Sequence, residues 1–187
     1  LAAFSNTPSP GNFSYQRALD DYAKGDRKRA LLALGHVLHL LEDAGVPDHT
    51  RNDPHPGFIP GQESPYEAAM ASWSADNFRI AGNLYKAHEK PATFYTMESY
   101  FDKMANYSNN NFFSKDTINI QGYSTPKITA EQPGFLYGMD NYENRFKLVK
   151  ITKRFSDGKI QYTLGDENYK ILTDYWSLLS TKSVQYG

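Results

Sequence analysis

The segment "RKRALLALGHVLHLLEDAG", residues 27–45, constrains this chain more than any other. Its Leu, Val and Ala positions run nearly all the way round a helix of about five turns, which predicts a central, buried helix. Asp26 suits its N-cap, and Gly45 with Pro47 ends it. Yet His36, His39 and Asp43 stand on it at i, i+3 and i+7, one polar stripe on an otherwise greasy surface. A buried carboxylate without a partner costs several kcal/mol, and a buried imidazole must find a hydrogen bond or lose stability. The stripe must therefore face a polar network, water or a metal ion.

The titratable groups continue past the helix. Leu34 to Gly57 holds four of the five histidines of the chain and three of its aspartates, adding His49, His55, Asp48 and Asp53. The chain has no cysteine. Disulfides and thiolate zinc sites are thereby excluded, and His, Asp and Glu are left as the strong metal ligands. His39 and Asp43, four apart, can bind one divalent ion from one helix face. The turn "AGVPDH" then presents His49, the loop presents His55, and Glu67 follows one turn into the next helix. Imidazole and carboxylate without thiolate suit zinc and are compatible with other first-row divalent ions. Structural roles compete with these. Glu67 is also the acid of a capping box with Ser64, His55 also reads as a plain loop residue, and His88 complements a helix C-terminus.

The formal net charge is −1, from 20 basic and 21 acidic residues. That sets up no global field for nucleic acid or an anionic membrane, and the sequence has no strong nucleic-acid signature. No apolar run approaches the roughly 18 residues of a transmembrane segment. Aromatic residues make up 14% of the chain, a supply that suits carbohydrate or lipid contact as well as ordinary cores.

Along the chain, residues 1–12 read as a loop and "FSYQRALDDYAKG" as a short helix stopped by Gly25. Residues 46–63 read as an irregular loop. "SPYEAAMASWSADNFRIAGNLYKAHE" is the next long helix, with Ser64 as N-cap and Pro65 at its first position. "TFYTMESYFDKMANYSNNNFF" is a third, and "NYKILTDYWSLLSTKSVQ" closes the chain. "FKLVKITKRFSDGKIQYTL" alternates around Asp157-Gly158 and predicts a β-hairpin. The expected fold class is mainly α, a multi-helix bundle with a late β-hairpin insertion over residues 115–165.

The H-x-x-x-D-x5-H spacing of His39, Asp43 and His49, within "LGHVLHLLEDAGVPDHTRN", resembles the zinc-dependent phospholipase C family, whose superfamily includes single-strand-specific zinc nucleases. The resemblance covers about 25 residues directly and is nearest to bacterial phospholipase C-like domains. It implies an all-helical fold around up to three zinc ions, here a single domain over residues 1–187. It also implies that His39 binds one zinc, that Asp43 bridges two as the catalytic residue, and that His49 serves the remaining ion with Glu67. His36 and His55 complete the candidate ligand set.

The chain departs from the family pattern in two places. Glu63, not a histidine, stands four residues before Glu67. No histidine precedes His36, and Asp20, Asp21 and Asp26 lie too close to the central helix to replace the family's upstream ligands. The opening "LAAFSN" leads to the expectation of a fragment lacking an upstream segment.

The expected function is a zinc-dependent phosphoric diester hydrolase, phospholipase C-like, with metal-activated water attacking a phospholipid phosphodiester. Contact with a membrane surface and a secreted, periplasmic or cell-surface location follow from the resemblance. Asp48, Asn52 and Asp53 are expected to support the ligands. Arg51 is expected at a substrate phosphate or in a surface salt bridge, and Tyr66 and Trp73 in a lipid or base pocket or in helix packing. Two alternatives stand beside this reading: a non-catalytic, metal-stabilised binding module descended from that family, and a single-strand nuclease.

Overall fold

Ser14 starts the first ordered helix by accepting a hydrogen bond from the Arg17 amide at 3.2 Å, an N-cap of the usual kind. The computed structural model describes residues 11–56, 59, 61–71, 91–166, 168 and 170–187. The chain divides into two compact units, residues 1–43 with Gly187, and residues 44–186.

The first unit is a helical hairpin of α1 (Tyr15–Ala23) and α2 (Arg27–Asp43). Gly25, at φ 85°, makes the turn, and Asp26 caps α2 through the Arg29 amide at 3.1 Å. The buried Asp21 carboxylate pairs with Arg17 at 2.7 Å and lies 3.6 Å from Arg29 on α2. The Arg17 guanidinium holds the Asp21 carboxyl below the usual carboxylate range. The expectation that α2 is buried all round is corrected. Only Ala30, Ala33, Val37 and Leu41 are buried, one narrow stripe, while Leu31 is 66% and Leu32 53% exposed. The three small or β-branched side chains in the stripe let α1 come close, while Leu31, Leu32 and Leu40 fall on other faces.

In the second unit, α3 (Pro47–Thr50), α4 (Pro65–Ala71), α5 (Met97–Asn111) and α6 (Lys170–Tyr186) accompany a four-stranded antiparallel sheet. Its strands, β1 (Ile128–Gln132), β2 (Phe135–Met139), β3 (Arg145–Lys153) and β4 (Ile160–Thr163), pair in chain order. The expected mainly helical, phospholipase C-like bundle is thus corrected to a mixed α/β fold, 47% helical and 15% strand among the described residues.

The hairpin around Asp157-Gly158 is β3–β4, in register from Lys150 opposite Thr163 to Lys153 opposite Ile160. The sequence reading passed over β1 and β2. They are five residues each, joined at Pro133-Gly134, where Gly134 takes φ 84°. On β2 the second inward position is Gly138, because a Cβ there would stand 3.1 Å from the Phe146 ring. That leaves one inward apolar side chain, Leu136, too weak an alternation to mark a strand.

The sheet supplies core rather than decoration. Phe146, Leu148 and Val149 of β3 are buried with Ile171, Leu172, Tyr175 and Leu179 of α6. Phe112 stacks on Phe146 with centroids 5.0 Å apart and meets the edge of Tyr175 at 4.8 Å. The Tyr175 hydroxyl donates to the Leu148 carbonyl at 2.8 Å and accepts from the Phe113 amide at 3.3 Å. Asp166 starts α6 by accepting from the Lys170 and Ile171 amides at 3.0 and 2.9 Å. No helix described is long and apolar enough to cross a membrane.

Arg51 is 2% exposed. Its Nε donates to Thr117 Oγ1 at 2.6 Å, Nη1 to the Asn109 and Phe112 carbonyls, and Nη2 to the Ser124 carbonyl at 2.8 Å. The expected surface or substrate-binding role of Arg51 is therefore corrected. Its charge caps the carbonyls at the C-terminal end of α5, where a cation is favoured, and the Phe113 ring lies 5.4 Å away. Replacing it strands several buried acceptors at once. Arg51→Met is expected to lower the unfolding free energy by roughly 3 kcal/mol or more. Urea denaturation reads this, and a loss below about 1 kcal/mol would mean that the guanidinium does not hold this junction.

Candidate metal centre

The site begins where the chain leaves the first unit. Val46 is extended and Pro47 opens α3, so the four residues "PDHT" turn Asp48 inward and His49 outward. The expected irregular loop 46–63 thus starts with a helical turn. Thr50 Oγ1 lies 3.2 Å from Ser108 Oγ, which donates to the Gly45 carbonyl, so α3 is anchored to α5. Asn52 reverses the chain at φ 50°. Asp53-Pro54-His55-Pro56 follows, and a proline after each of Asp53 and His55 biases both toward extended backbone. Asp53 is held by the Asp116 amide, which donates to its Oδ2 at 3.0 Å. Ser64 then caps α4, accepting from the Glu67 amide at 3.2 Å.

These turns bring His49, His55 and Glu67 together, with one ligand atom of each within 4.8 Å of the others. His49 Nε2 lies 3.3 Å from Glu67 Oε1, and His55 Nε2 lies 3.1 Å from Glu67 Oε2. The two imidazoles stack with centroids 5.1 Å apart. Glu67 had two competing roles in the sequence, and its carboxylate turns to the imidazoles. All three side chains are partly exposed, from 20% for His55 to 43% for Glu67.

The hydrogen bonding of His55 specifies what can sit between these groups. Its Nδ1 lies 2.7 Å from the Asp53 carbonyl. A carbonyl only accepts, so Nδ1 carries the proton, and in neutral imidazole Nε2 then presents a lone pair. That lone pair faces a carboxylate oxygen. Either a second proton, making imidazolium, or a cation must occupy the gap. A ring N–H given to a backbone carbonyl is also the usual outer support of a metal-bound histidine. With one atom from each residue the set lies within 4.8 Å, against an edge of about 3.3 Å for a tetrahedron of ligands about 2.05 Å from zinc, so a small ion would draw the side chains together. The group could therefore hold a metal ion.

His36, His39 and Asp43 belong to α2 in the first unit. His39 Nε2 stands 3.7 Å from Asp43 Oδ2, and the His39 side chain is 68% exposed. The His36 ring stacks on Phe13 with centroids 4.2 Å apart. Of the supporting residues, Asp53 orients His55, Asn52 is an exposed turn residue, and Glu63 is exposed. Tyr66 is buried, and burial pushes its hydroxyl pKa up, so it packs rather than lines an open pocket. Trp73 and His88 lie outside the described residues. Sequence reasoning missed the Asp48–Ser64 pair. A serine that precedes Pro at a helix start is readily read as a cap, but its second bond spans sixteen residues.

Comparison with protein-family models, with curated proteins and with solved structures gives no match. The phospholipase C resemblance accordingly rests on the local spacing of His39, Asp43 and His49.

Asp48 is 1% exposed. Its Oδ2 accepts from Ser64 Oγ at 2.8 Å, while Oδ1 has no hydrogen-bond partner among the described residues. Burial pushes its carboxyl pKa up, against weaker opposing pulls from the Ser64 bond and from His55. A carboxyl raised in the folded state favours folding fully below its unfolded pKa, and that contribution is lost as pH rises through the folded value. Asp48→Asn keeps an acceptor for Ser64 and stays neutral. With chelator present, it is expected to gain stability on the parent as pH rises above the ordinary carboxylate range, read as the difference in urea midpoints. A difference that does not change with pH would show that Asp48 does not ionise across this range.

Proposed function

We propose that His49, His55 and Glu67 hold a zinc ion and that the protein is a zinc-dependent hydrolase of phosphodiesters, with a phospholipid as the first substrate class to test. The observation that carries this is the convergence of two imidazole nitrogens and one carboxylate within 4.8 Å of one another, with His55 already oriented by the Asp53 carbonyl. Two histidines and one acid are a donor set that hydrolytic zinc sites use, with the fourth position left to water or substrate. Zinc bound there would lower the pKa of its water and polarise a phosphoryl oxygen.

The chain's own groups have distinct parts. His49, from a rigid one-turn helix, and Glu67, from the first turn of α4, set the ligand spacing. The partial exposure of all three side chains leaves one side open to an incoming phosphodiester. The phosphodiester class comes from the local resemblance to the phospholipase C family and rests on it.

A second reading has its own observation. The three ligands come from α3, the proline-bracketed loop and α4, so one ion would clip together a stretch with little regular structure. Such an ion stabilises whether or not it catalyses, and the protein would then be a metal-stabilised binding module.

Zinc in about hundredfold excess over its dissociation constant is expected to raise the melting temperature of chelator-treated protein by roughly 5–10 °C. His55→Ala should lose most of that shift. Hydrolysis of bis-p-nitrophenyl phosphate and of phosphatidylcholine vesicles, measured with the same zinc-loaded protein, separates the readings. Turnover lost in His55→Ala supports the hydrolase; a zinc-dependent melting shift without turnover selects the structural ion. No shift with zinc in the parent protein sinks both.

A further inference from the structure

A cleft of about 420 Å³ lies elsewhere in the second unit and shares no residue with the metal centre. One wall is a stripe of α5, where Ser99, Asp102, Lys103 and Asn106 follow helical spacing and the buried Tyr107 forms the floor. The other wall is the β2–β3 turn, through Asn141 and Tyr142, with Tyr186 at the end of α6. The structure assigns this cleft to a neutral, hydroxyl-rich ligand, a short oligosaccharide.

The turn is built to hold its tip still. Asp140 is 4% exposed and its carboxylate takes four hydrogen bonds. Oδ1 accepts from the Tyr142 and Asn144 amides at 2.9 and 2.8 Å, and Oδ2 from the Tyr107 hydroxyl and Asn144 Nδ2 at 2.6 and 2.9 Å. Glu143, within the turn, adopts φ 65°, a conformation that a non-glycine side chain rarely takes. Such side-chain-to-amide bonds and a left-handed residue are how hairpin connections are pinned. The result fixes Asn141 and Tyr142 at the cleft, with Tyr142 51% exposed.

Tyr142 is held from its other contacts too. Its hydroxyl lies 3.2 Å from that of Tyr186, and the Lys182 ammonium sits 3.7 Å from its ring centroid. A rigid aromatic surface beside amides and hydroxyls gives contact area at low entropic cost, together with adaptable hydrogen bonding.

The charges narrow the ligand class. Asp102 and Lys103 oppose one another in the lining, so the cleft selects neither an anion nor a cation. The three tyrosines all carry hydroxyls, and the α5 stripe is polar, so a purely apolar ligand would strand polar groups. A sugar offers apolar ring faces to Tyr142 and hydroxyls to Asn106, Asn141 and Asp102.

The test is calorimetric titration of the full chain with chitotriose, cellotriose, maltotriose and xylotriose, with adenosine as a non-sugar ring. At least one trisaccharide is expected to bind with a dissociation constant between about 0.1 and about 5 mM, as suits a small open site. Asn106→Ala and Asn141→Ala, both exposed and outside the core, should each weaken binding about tenfold, and Tyr142→Ala should abolish it. His49→Ala should leave it unchanged, which keeps this site separate from the metal reading. The proposal is overturned if no trisaccharide binds at about 10 mM, if binding survives all three substitutions, or if adenosine alone binds.

Discussion

The second unit depends on one buried guanidinium. Arg51 leaves water without a carboxylate hydrogen-bonded to it, and it is tolerated because carbonyls at the end of α5, Thr117 and Ser124 all turn toward it. Burying a charge is costly, and only a site with most of its donors used makes it stable. The segment just after α3 and the segment just after α5 are thereby held to one another across some sixty residues of sequence. The aromatic cluster of Phe112, Phe146 and Tyr175 packs from the same α5 end onto the sheet and α6.

The candidate metal centre inherits its order from that junction. His49 lies two residues before Arg51 and His55 four after it. Arg51 and the bond from the Asp116 amide to Asp53 fix the backbone between the two imidazoles. Glu67 is set from another direction, by Ser64, whose hydroxyl both caps α4 and bonds Asp48 on α3. The ligands are partly exposed, but the groups that place them are buried.

The sequence was legible where a rule is local. Asp26 and Ser64 were readable as caps because capping acts over three residues. The β3–β4 hairpin was readable because "FKLVKITK" alternates, and in a chain without thiols His49, His55 and Glu67 were among six candidate ligands, though the weight fell on His39, Asp43 and His49. What failed was non-local. The leucines of α2 were read as buried because composition cannot say which faces find a partner. Arg51 was read as a surface group because its acceptors are backbone carbonyls about sixty residues away, which no side-chain pattern announces. β1 and β2 were hidden by the absence of a side chain at Gly138, whose inward position is filled by a neighbour's ring. The sheet was then taken for an insertion, and the fold class was misread.

The Ser64 hydroxyl has an evolutionary consequence. Because it registers α4 directly against α3, the spacing of Glu67 from His49 does not depend on the path of the chain between His55 and Ser64. That connection can gain or lose residues, or change its composition, while both ends stay clamped. Homologues of this protein should therefore vary most in length just there, between two ligands, where an unaided reader of alignments would expect the least variation.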